Sequence, residues 1–488
     1  MKKKTLSIML SIALGVSALM TGCGGSGTQT AERGGEDKTS EGRAEGAKDA
    51  KDAKDAAASE KEVVRVVVPG ISEETTVDPI SGIKKKGLGE FEAFLEEQIP
   101  DYDIDLVSIP WDGWIQKMET LVTSGEVDVG FYTNQEAVPG WYIDLTDYLN
   151  KDTEVNFNSL NQLFIDPAVF YAKYNSFNYP ENTGQVFGLP MTMASNIIVY
   201  DKQLFENWGV ETPTESTTFT ELVDMAEKMT GKNPVTGATN YGGYLFSTWM
   251  EWYAISYDAV KTYKSDTMML SDMDTNEYVE YVKNSPEVLN YFTDMIRLVN
   301  CCPEGVATGN GSEKFFTDEN DIAINFDTNN VGTNYMKYVY AGDSAICDRY
   351  IPLLVPTGKN GMEGFPEFFR FSITKSAKNP DAAWEVIKKL TTTPEIVDFY
   401  LTNYAQDKVT ALADTSKVTM MDYEINKKRH DYQINAMFKT DDYWFWRTPL
   451  QAVNNQILSK QLTAEAAREE FYKGVSDWVN NTKAQLGQ

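Results

Sequence analysis

The stretch Val63-Val64-Arg65-Val66-Val67-Val68, followed by Pro69-Gly70, decides how the folded part of this chain begins. A run of β-branched residues that ends at proline and glycine is typical of a buried strand. After a long loop, the apolar spacing from Leu88 to Ile99 predicts an amphipathic helix. Alternating residues from Ile104 to Val107 predict a second strand. The folded part therefore opens with a strand, a helix and another strand.

Two further elements extend this pattern. Trp114 to Ser124 returns to helical spacing, with Met118, Leu121 and Val122 on one side, and Val127 to Phe131 predicts a third strand. The order β-α-β-α-β predicts an α/β fold in which helices cover both faces of a parallel sheet. Because such sheets bind ligands beyond the carboxyl ends of their strands, we expect ligand contacts in the loops that follow strands.

The charge of the chain excludes some classes of partner. The 488 residues carry a formal net charge of -28, and their number is enough for about two domains. A surface this acidic repels phosphate backbones and anionic lipid headgroups. We therefore expect no nucleic-acid partner and no electrostatic docking to a membrane.

The first 23 residues have the pattern of a bacterial lipoprotein signal. Three lysines precede an apolar run from Leu6 to Leu19, which is too short to cross a bilayer comfortably. The run leads into Met20-Thr21-Gly22-Cys23. We predict a signal peptide at residues 1–22 and a lipid anchor, with palmitate, on Cys23. An ordinary signal with an incidental cysteine is the alternative. The anchor would hold the protein on the cell membrane, facing outside the cytoplasm.

Residues 23–61 are predicted to be a flexible tether between the anchor and the folded body. They consist largely of small and charged residues, with a Lys-Asp-Ala triplet repeated three times from Lys48 to Ala56. Such a composition lacks the large apolar side chains that a core requires. A flexible coil of this length lets the body move above the membrane while it stays attached.

The sequence argues against metal, cofactor and imidazole chemistry. His430 is the only histidine, which removes His-based triads and two-histidine zinc sites. Asp272 to Asn276 resembles a calcium loop but lacks the glycine and the glutamate that such a loop needs later. The vicinal pair Cys301-Cys302 and the distant Cys347 match no zinc spacing, and we expect idle thiols rather than a strained vicinal disulfide. We predict no catalytic residues, no metal and no cofactor.

Several blocks of the chain resemble, in order, the family 1 extracellular solute-binding proteins, the carbohydrate-capturing lipoproteins of ABC importers that are related to maltodextrin-binding proteins. The strongest block runs from Gly188-Leu189-Pro190 through Ile197 to Phe205 and on to Trp208-Gly209-Val210 and Pro213. The others are Val127-Asp128-Val129, Asp144 to Leu149, and Ile373 to Pro380 running into Ala382-Ala383-Trp384. Together they span most of residues 62 to 488.

The resemblance implies a two-lobed, type II periplasmic-binding-protein-like fold with several hinge crossings. It implies crossings at Pro190 to Asn196, at Phe368 to Ser372 and near Asp422 to Asp431. The predicted lobes are residues 62–193 with 373–428 for lobe 1, and residues 194–372 with 429–488 for lobe 2. Asn379-Pro380-Asp381 is also a plausible start for an amphipathic helix over Ala382 to Leu390.

A carbohydrate site needs aromatic faces for C–H surfaces and polar groups for hydroxyls. Segments that supply both lie where the resemblance places the cleft. The predicted ligand-binding residues are Tyr132, Asn134, Met193, Ser195, Asn196, Trp249, Glu251, Trp252, Asp327, Asn329, Arg370, Trp444, Trp446 and Arg447.

Each predicted contact in the first half of the chain has a plainer alternative. Tyr132 and Asn134 follow the third strand, where a solvated turn is the alternative. Met193, Ser195 and Asn196 lie at the first crossing, where a ligand has to touch both lobes in order to close them. The alternative there is hinge backbone without ligand contact.

The aromatic clusters of lobe 2 also have two possible interpretations, ligand binding and core packing. Trp249, Glu251 and Trp252 combine aromatic rings with a carboxylate, but their helical spacing also suits a core stripe. The run Tyr443-Trp444-Phe445-Trp446-Arg447 has too many large aromatic residues for all of them to point inward. We therefore expect at least one of its rings to face solvent or ligand.

Polar recognition is expected at two further places. Asn325 to Asn329 follows a strand where some relatives carry a tryptophan, and this chain offers Asp327 and Asn329 instead. Arg370 at the second crossing has two possible roles, in a ligand contact or in an ion pair between the lobes. Glu73, Thr75 and Asp78 in the first long loop are candidates for overhanging the cleft, with a solvated loop as the alternative.

The predicted function is a non-enzymatic receptor that closes around an oligosaccharide and delivers it to the permease subunits of an ABC transporter. One alternative keeps the fold and changes the cargo to a peptide, a polyamine or a sugar phosphate. Another is a lipid-anchored glycoside hydrolase, because carboxylates are numerous enough for a chance catalytic pair.

Overall fold

A computed structural model gives the structure of the protein. It describes residues 61–79, 82–133, 138–166, 168–169, 184–194, 197–246, 250–260, 275–356, 368–436 and 444–485. These residues belong to one compact unit, Glu60–Gln488. The predicted signal peptide, Cys23 and nearly all of the predicted tether lie outside the described residues.

The described strands form two larger sheets and a two-stranded hairpin. In chain order they are β1 (Glu62–Pro69), β2 (Thr76–Val77), β3 (Lys84–Lys85), β4 (Tyr102–Ile109), β5 (Val129–Tyr132), β6 (Leu189–Ala194), β7 (Ile197–Asp201), β8 (Gly231–Lys232), β9 (Thr239–Tyr244), β10 (Ile322–Asn325), β11 (Tyr350–Leu354), β12 (Phe368–Ile373) and β13 (Lys408–Thr410).

Helices pack around both sheets. In chain order they are α1 (Leu88–Gln98), α2 (Trp114–Ser124), α3 (Val138–Trp141), α4 (Thr146–Lys151), α5 (Leu160–Leu163), α6 (Lys202–Trp208), α7 (Phe219–Lys228), α8 (Met250–Ser256), α9 (Thr275–Asn284), α10 (Pro286–Asn300), α11 (Thr328–Ala341), α12 (Ser344–Arg349), α13 (Pro380–Thr392), α14 (Pro394–Tyr404), α15 (Glu424–Ala436), α16 (Trp444–Leu458) and α17 (Ala464–Gln485). Short 3-10 turns occur at Val306–Thr308 and Thr419–Asp422.

The first sheet has the strand order β13-β6-β12-β5-β1-β4. The predicted succession β-α-β-α-β is confirmed by β1, α1, β4, α2 and β5, with the hairpin of β2 and β3 inside the first long loop. Strands β4, β1 and β5 are parallel, whereas β12 runs antiparallel to β5 and β6. The sheet is therefore mixed rather than wholly parallel, because β12 enters it from the opposite direction.

The second sheet has the order β11-β7-β10-β9-β8 and is also mixed. Strand β7 runs antiparallel to both β10 and β11, and β10 is parallel to β9. As a result, β9, β10 and β11 all end at the side where β7 begins. The chain passes from the first sheet to the second between Ala194, where β6 ends, and Ile197, where β7 begins. This edge of the second sheet therefore lies next to the first hinge crossing.

Each sheet has its own hydrophobic core. One core extends over residues between Val64 and Met193 and between Phe368 and Met421, and the other over residues between Ala194 and Val355 and between Trp446 and Val479. Each sheet with its own buried core forms one lobe of the protein. We call them lobe 1 and lobe 2.

Two predicted lobe boundaries fall inside regular elements. All six residues of β12 are buried, and the strand is hydrogen-bonded between β5 and β6, so the return into lobe 1 begins by Phe368 rather than at residue 373. The predicted boundary at 428/429 lies within α15. Its Arg429 and His430 contact the carbonyl oxygens of Asp407 and Leu412 in lobe 1, which keeps this part of the helix on that lobe.

The blocks that carry the family resemblance contain buried polar anchors. Asp201 is fully buried, accepts hydrogen bonds from the amides of Gln203 and Leu204 at the start of α6, and pairs with Arg349 at 2.7 Å. Asp128 accepts hydrogen bonds from the amides of Arg65 and Lys378, which ties β1 to the segment after β12. These side chains join distant parts of the chain, so their role here is structural.

The helix predicted after Asn379 is confirmed as α13. Asn379 accepts hydrogen bonds from the amides of Asp381 and Ala382 and so caps α13.

The prediction of thiols rather than a vicinal disulfide is confirmed, since Cys301 and Cys302 are buried and free and Cys347 is free and partly buried.

Candidate functional site

A cavity of about 370 Å³ lies at the carboxyl ends of the lobe 1 strands, and we call it the lobe 1 cavity. Gly70 follows β1, Trp111 follows β4, and Thr133 follows β5, as expected for ligand sites in such sheets. The remaining wall comes from β6, β12 and the segment from α14 to β13. The residues contributed there include Thr192, Phe369, Tyr400, Tyr404, Asp407 and Lys408.

Trp111 provides an aromatic surface at the rim of this cavity. Its side chain is 49% exposed, and its ring meets those of Phe131 and Phe369 edge-on at centroid distances of 5.7 and 6.4 Å. Gly70 has φ +67°, and a Cβ at this position would lie 2.9 Å from Cδ1 of the tryptophan. The ring is therefore held by neighbouring aromatics and by a glycine that leaves room for it.

Tyr400 and Tyr404 form the aromatic wall on the α14 side. Tyr400 stacks on Phe369 at 5.6 Å between ring centroids. The Tyr404 hydroxyl is buried and has no hydrogen-bond partner in the structure as described. Burial and the nearby carboxylate of Glu90 raise the pKa of Tyr404, so the group stays protonated and able to donate. A ligand hydroxyl would supply the acceptor that it lacks.

One ion pair lies at the same cavity. Lys408 Nζ is 3.2 Å from Asp407 Oδ2, and both side chains are 23% exposed. Burial works against ionisation of Asp407, but Lys408 and Arg429 outweigh it and lower the pKa of this carboxyl. Arg429 is fully buried and donates from Nη2 to the Asp407 carbonyl oxygen. The cavity thus presents one carboxylate and one ammonium group beside its aromatic rings.

Lobe 2 has a second cavity, of about 420 Å³, which we call the lobe 2 cavity. Its walls come from the start of α7, the end of α8 and one face of α10. The buried carboxylate of Asp294 organises it by accepting hydrogen bonds from Thr220 at 2.7 Å and Tyr257 at 2.5 Å. Arg297 donates to the other oxygen of Asp294 at 2.7 Å and also pairs with Asp224 and Glu227.

These contacts keep the Tyr257 hydroxyl of the lobe 2 cavity protonated. Burial, followed by the charge and hydrogen bond of Asp294, raises the pKa of Tyr257 far above its usual value. The hydroxyl protons of Thr220 and Tyr257 are both directed at Asp294. A ligand at this wall would therefore meet their oxygen atoms chiefly as acceptors.

Four predicted ligand-binding residues are almost completely buried. Tyr132 is 2% exposed, and Met193, Arg370 and Trp446 are 0% exposed. The Arg370 guanidinium lies 5.1 Å from the centroid of the Tyr132 ring and 3.5 Å from the Thr133 carbonyl oxygen. These residues border neither of the two cavities, so their contact with a ligand stays a prediction. Arg370 nonetheless supports the strand end from which Thr133 lines the lobe 1 cavity.

Asp327 lies where the sequence predicted polar recognition, directly after β10 and before α11. It is buried, and Oδ2 accepts a hydrogen bond from the Asn330 side chain at 2.8 Å. Its Oδ1 and the Thr328 hydroxyl have no hydrogen-bond partner in the described ranges. Burial raises the pKa of Asp327. The group is a candidate for a ligand or water contact that completes this helix start.

The other predicted contacts are only partly placed by the structure. Arg447 is half-buried on α16. The backbones of four more residues lie in helices, but their side chains are not described; these are Glu251, Trp252, Asn329 and Trp444. Asn134, Ser195, Asn196 and Trp249 lie outside the described residues.

The first long loop reaches across to lobe 2, and its predicted position over the cleft stays a prediction. Asp78 is buried and lies 3.2 Å from Nζ of Lys337 on α11, so this loop of lobe 1 contacts lobe 2 through an ion pair. A solvated loop, the alternative, does not describe this residue.

Sequence reasoning missed the main residues of the lobe 1 cavity. Trp111 was detectable, because it follows the predicted second strand by a few residues and strand ends were expected to hold the site. Tyr400 and Tyr404 are four residues, or about one helical turn, apart on the same face of a helix, a spacing that the sequence alone does not distinguish from a core stripe. Asp407 and Lys408 carried no signal beyond their charge.

The described part of the chain lacks a metal-binding cluster and a membrane-spanning helix. No group of three or more histidine, cysteine, aspartate or glutamate side chains is arranged to hold a metal ion there. Within the same ranges no helix is long and apolar enough to cross a membrane.

Two lobes, each with a mixed sheet and a cavity, define a two-lobed binding protein in which the strand ends hold the candidate ligand contacts. The chain belongs to the bacterial extracellular solute-binding protein family, whose model matches residues 75–395. This family is non-catalytic.

Solved structures share this fold at low sequence identity. An ABC substrate-binding protein from Listeria monocytogenes in complex with cycloalternan is 16% identical, with a TM-score of 0.60 over 88% of this chain and 99% of that one. The GacH receptor of Streptomyces glaucescens, studied with acarbose, is 15% identical, with a TM-score of 0.59 over 86% and 99%. A maltose-bound protein from T. maritima is 16% identical, with a TM-score of 0.57 over 85% and 99%.

Curated relatives match a smaller part of the chain. Binding proteins of Brucella abortus and Brucella suis are 24% identical over 189 residues. The match covers 37% of this chain and 40% of each relative.

Proposed function

We propose that this protein captures an oligosaccharide between its lobes and delivers it to the permease of an ABC transporter. The observation that carries the proposal is the half-exposed ring of Trp111 above a cavity that also holds polar groups. Sugar rings stack on aromatic faces through their C–H surfaces and need donors and acceptors at their edges. The Tyr404 hydroxyl and the pair of Asp407 and Lys408 meet that second need.

The structural relatives support the same class of cargo. The proteins with this fold were solved with cycloalternan, acarbose or maltose, and each of these is a saccharide or resembles one. Their identity to this chain is too low to carry over any particular sugar. The chemistry of the lobe 1 cavity is therefore the main support, and the relatives indicate that the fold suits such ligands.

Closure is expected to involve both lobes. A ligand shifts the equilibrium between open and closed states only by its preference for the closed state, so it must gain contacts from lobe 2. Asp327 and the groups around the lobe 2 cavity are the described candidates for those contacts. We infer that the ligand first engages the aromatic lobe 1 cavity and that lobe 2 then completes the binding site.

We further propose that the protein is a lipoprotein on the outer face of the cell membrane. The support is the sequence of residues 1–22 followed by Cys23, together with a tether over residues 23–61 that lacks core-forming side chains. A lipid anchor keeps a receptor close to its permease and raises its local concentration there. Mass spectrometry of the membrane-bound protein tests this, and an unmodified Cys23 would contradict it.

The binding proposal is tested by calorimetric titration of the full-length protein with a panel of neutral and acidic oligosaccharides. We expect tight binding of at least one member, with one ligand per chain and no cleavage of the ligand. Trp111→Ala serves as the variant that removes the aromatic surface. Absence of binding across the panel would contradict a sugar cargo and favour a peptide, a polyamine or a sugar phosphate. Release of shorter products would contradict the non-catalytic assignment.

A further inference from the structure

We propose that Asp407 makes the lobe 1 cavity select neutral glycans over acidic ones. This inference rests on the proposed function and narrows its cargo to saccharides without a carboxylate, sulfate or phosphate on the portion that enters this cavity. It identifies Asp407 as a specificity-determining residue for the binding site.

Asp407 and Lys408 are the charged side chains among the described residues that line the cavity. Each is 23% exposed, so both reach the cavity while most of their surface is shielded from water. Charges that are partly shielded in this way interact more strongly than charges in bulk solvent. The 3.2 Å contact between them therefore shapes the field that a ligand meets.

The buried side chain of Arg429 fixes the backbone position of Asp407. It donates from Nη1 to Asn426 Oδ1 at 3.0 Å and from Nη2 to the Asp407 carbonyl oxygen, and its own side chain is fully buried. The backbone position of Asp407 is thus set by lobe 1 itself. Its carboxylate pairs with Lys408 and is the acid that a ligand in this cavity would meet.

The arrangement treats neutral and acidic ligands differently. A sugar hydroxyl can donate to Asp407 and accept from Lys408 without adding charge to the cavity. An acidic group that approaches Lys408 must come close to the Asp407 carboxylate, and like charges at short range oppose binding. The ion pair therefore serves as a filter against anionic sugars.

The test compares one glycan in two chemical forms. The probes are the neutral oligosaccharide from the titration panel that binds tightest, and the same oligosaccharide with its terminal C6 hydroxymethyl oxidised to a carboxylate. We expect the wild-type protein to bind the oxidised form at least about tenfold more weakly, as expected for a modest unfavourable charge contact. We expect Asp407→Asn, which keeps the size of the side chain, to reduce or reverse that ratio.

A double variant provides the matched control. Adding Lys408→Met to Asp407→Asn removes the cation that would attract the oxidised group, so the gain for the acidic probe should disappear. Thermal unfolding of each variant shows whether the fold is kept. Lys408→Met alone should weaken binding of the oxidised probe more than binding of the neutral one, because it removes the cation that pairs with the Asp407 carboxylate; an equal loss for both probes would contradict the inference.

The outcomes separate this inference from the proposed function. Binding of the neutral probe with an unchanged ratio in Asp407→Asn would overturn the inference and leave the sugar-binding proposal in place. The inference would also be overturned, with the sugar-binding proposal left in place, if the wild-type protein bound the oxidised probe at least as tightly as the neutral one. Failure of every glycan in the panel to bind would instead contradict the proposed function itself.

Discussion

The two cavities differ in how much of their recognition chemistry is already used by the protein. In lobe 2, the hydroxyls of Thr220 and Tyr257 are committed to Asp294, which Arg297 also holds. In lobe 1, the ring of Trp111 is half exposed and the Tyr404 hydroxyl lacks a partner in the ranges that the structure describes. A group that is already satisfied contributes shape and rigidity, whereas an unsatisfied one can contribute binding free energy. The Ser256 hydroxyl of the lobe 2 cavity also lacks a partner in the described ranges, so we propose lobe 1 for ligand capture mainly because of the exposed ring of Trp111.

The largest expected effect tests the structural character of the lobe 2 cavity. Asp294→Ala leaves two hydroxyls and one side of Arg297 without their acceptor in a buried site. We expect a loss of about 3 kcal/mol in the free energy of unfolding, because breaking a buried network leaves several groups unsatisfied. Chemical denaturation measures this. Thr293→Ala is the matched control on the same helix, since its exposed hydroxyl bonds only to the helix backbone within the described structure.

The next effect tests the assignment of capture to lobe 1. Trp111→Ala should weaken glycan binding by about 2 kcal/mol while changing stability little, since large aromatic contacts dominate binding sites and this side chain is half exposed. Calorimetry measures the affinity, and denaturation measures the stability. Thr220→Val in lobe 2 is the comparison variant and should change affinity much less. A larger loss of affinity in Thr220→Val than in Trp111→Ala would reverse the comparison.

Gly70 offers a way to move the aromatic ring without removing it. Gly70→Ala should weaken binding by about 1 to 2 kcal/mol, because its Cβ would lie 2.9 Å from the tryptophan ring and its φ of +67° is strained for alanine. Tryptophan fluorescence should shift at the same time if the ring changes its surroundings. Gly82→Ala is a useful control, as Gly82 has the same φ and no atom within 4 Å of the added Cβ. Equal loss of affinity in both variants would point to backbone strain alone.

The smallest effect concerns a single hydroxyl. Tyr404→Phe should weaken glycan binding by about 1 kcal/mol and should leave stability unchanged or slightly higher, because the deleted hydroxyl has no protein partner where the chain is described. Tyr400→Phe is the aromatic control from the same helix. Calorimetry on both variants tests the difference. A marked drop in stability for Tyr404→Phe would mean that its hydroxyl serves the fold rather than a ligand.

The elements of lobe 1 were largely predictable because their signals are local. Helix α2 was predicted over its full length from apolar spacing, and the capping residue Asn379 marked the start of α13. The run of valines predicted β1. The mixed direction of the sheets was not predictable from these signals, because β12 pairs with strands that lie far earlier in the chain and its direction depends on where the chain returns.

The candidate site was much less predictable. Tyr132 was predicted to contact ligand because it follows the third predicted strand, and Arg370 because it is a charge at the second crossing, yet both are buried. Trp446 belongs to an aromatic run that suggested exposure, and it is fully buried in the lobe 2 core. Residue type and spacing do not reveal which side of a packed layer faces a cavity, since that depends on neighbours far away in the chain.

The sequence by itself determined the class of fold, the order of the first elements and the family, because strand runs, helical spacing and caps act over a few residues. Only the tertiary structure decided that Gly70, Trp111 and Thr133 meet Tyr404 and Lys408 around one cavity. Those residues come from four separate segments, since Tyr404 and Lys408 belong to the same one, and long-range packing brings them together. It also decided that Arg429 holds the backbone of Asp407 beside this cavity, since the position of a charge that a ligand meets depends on which groups are neighbours in space.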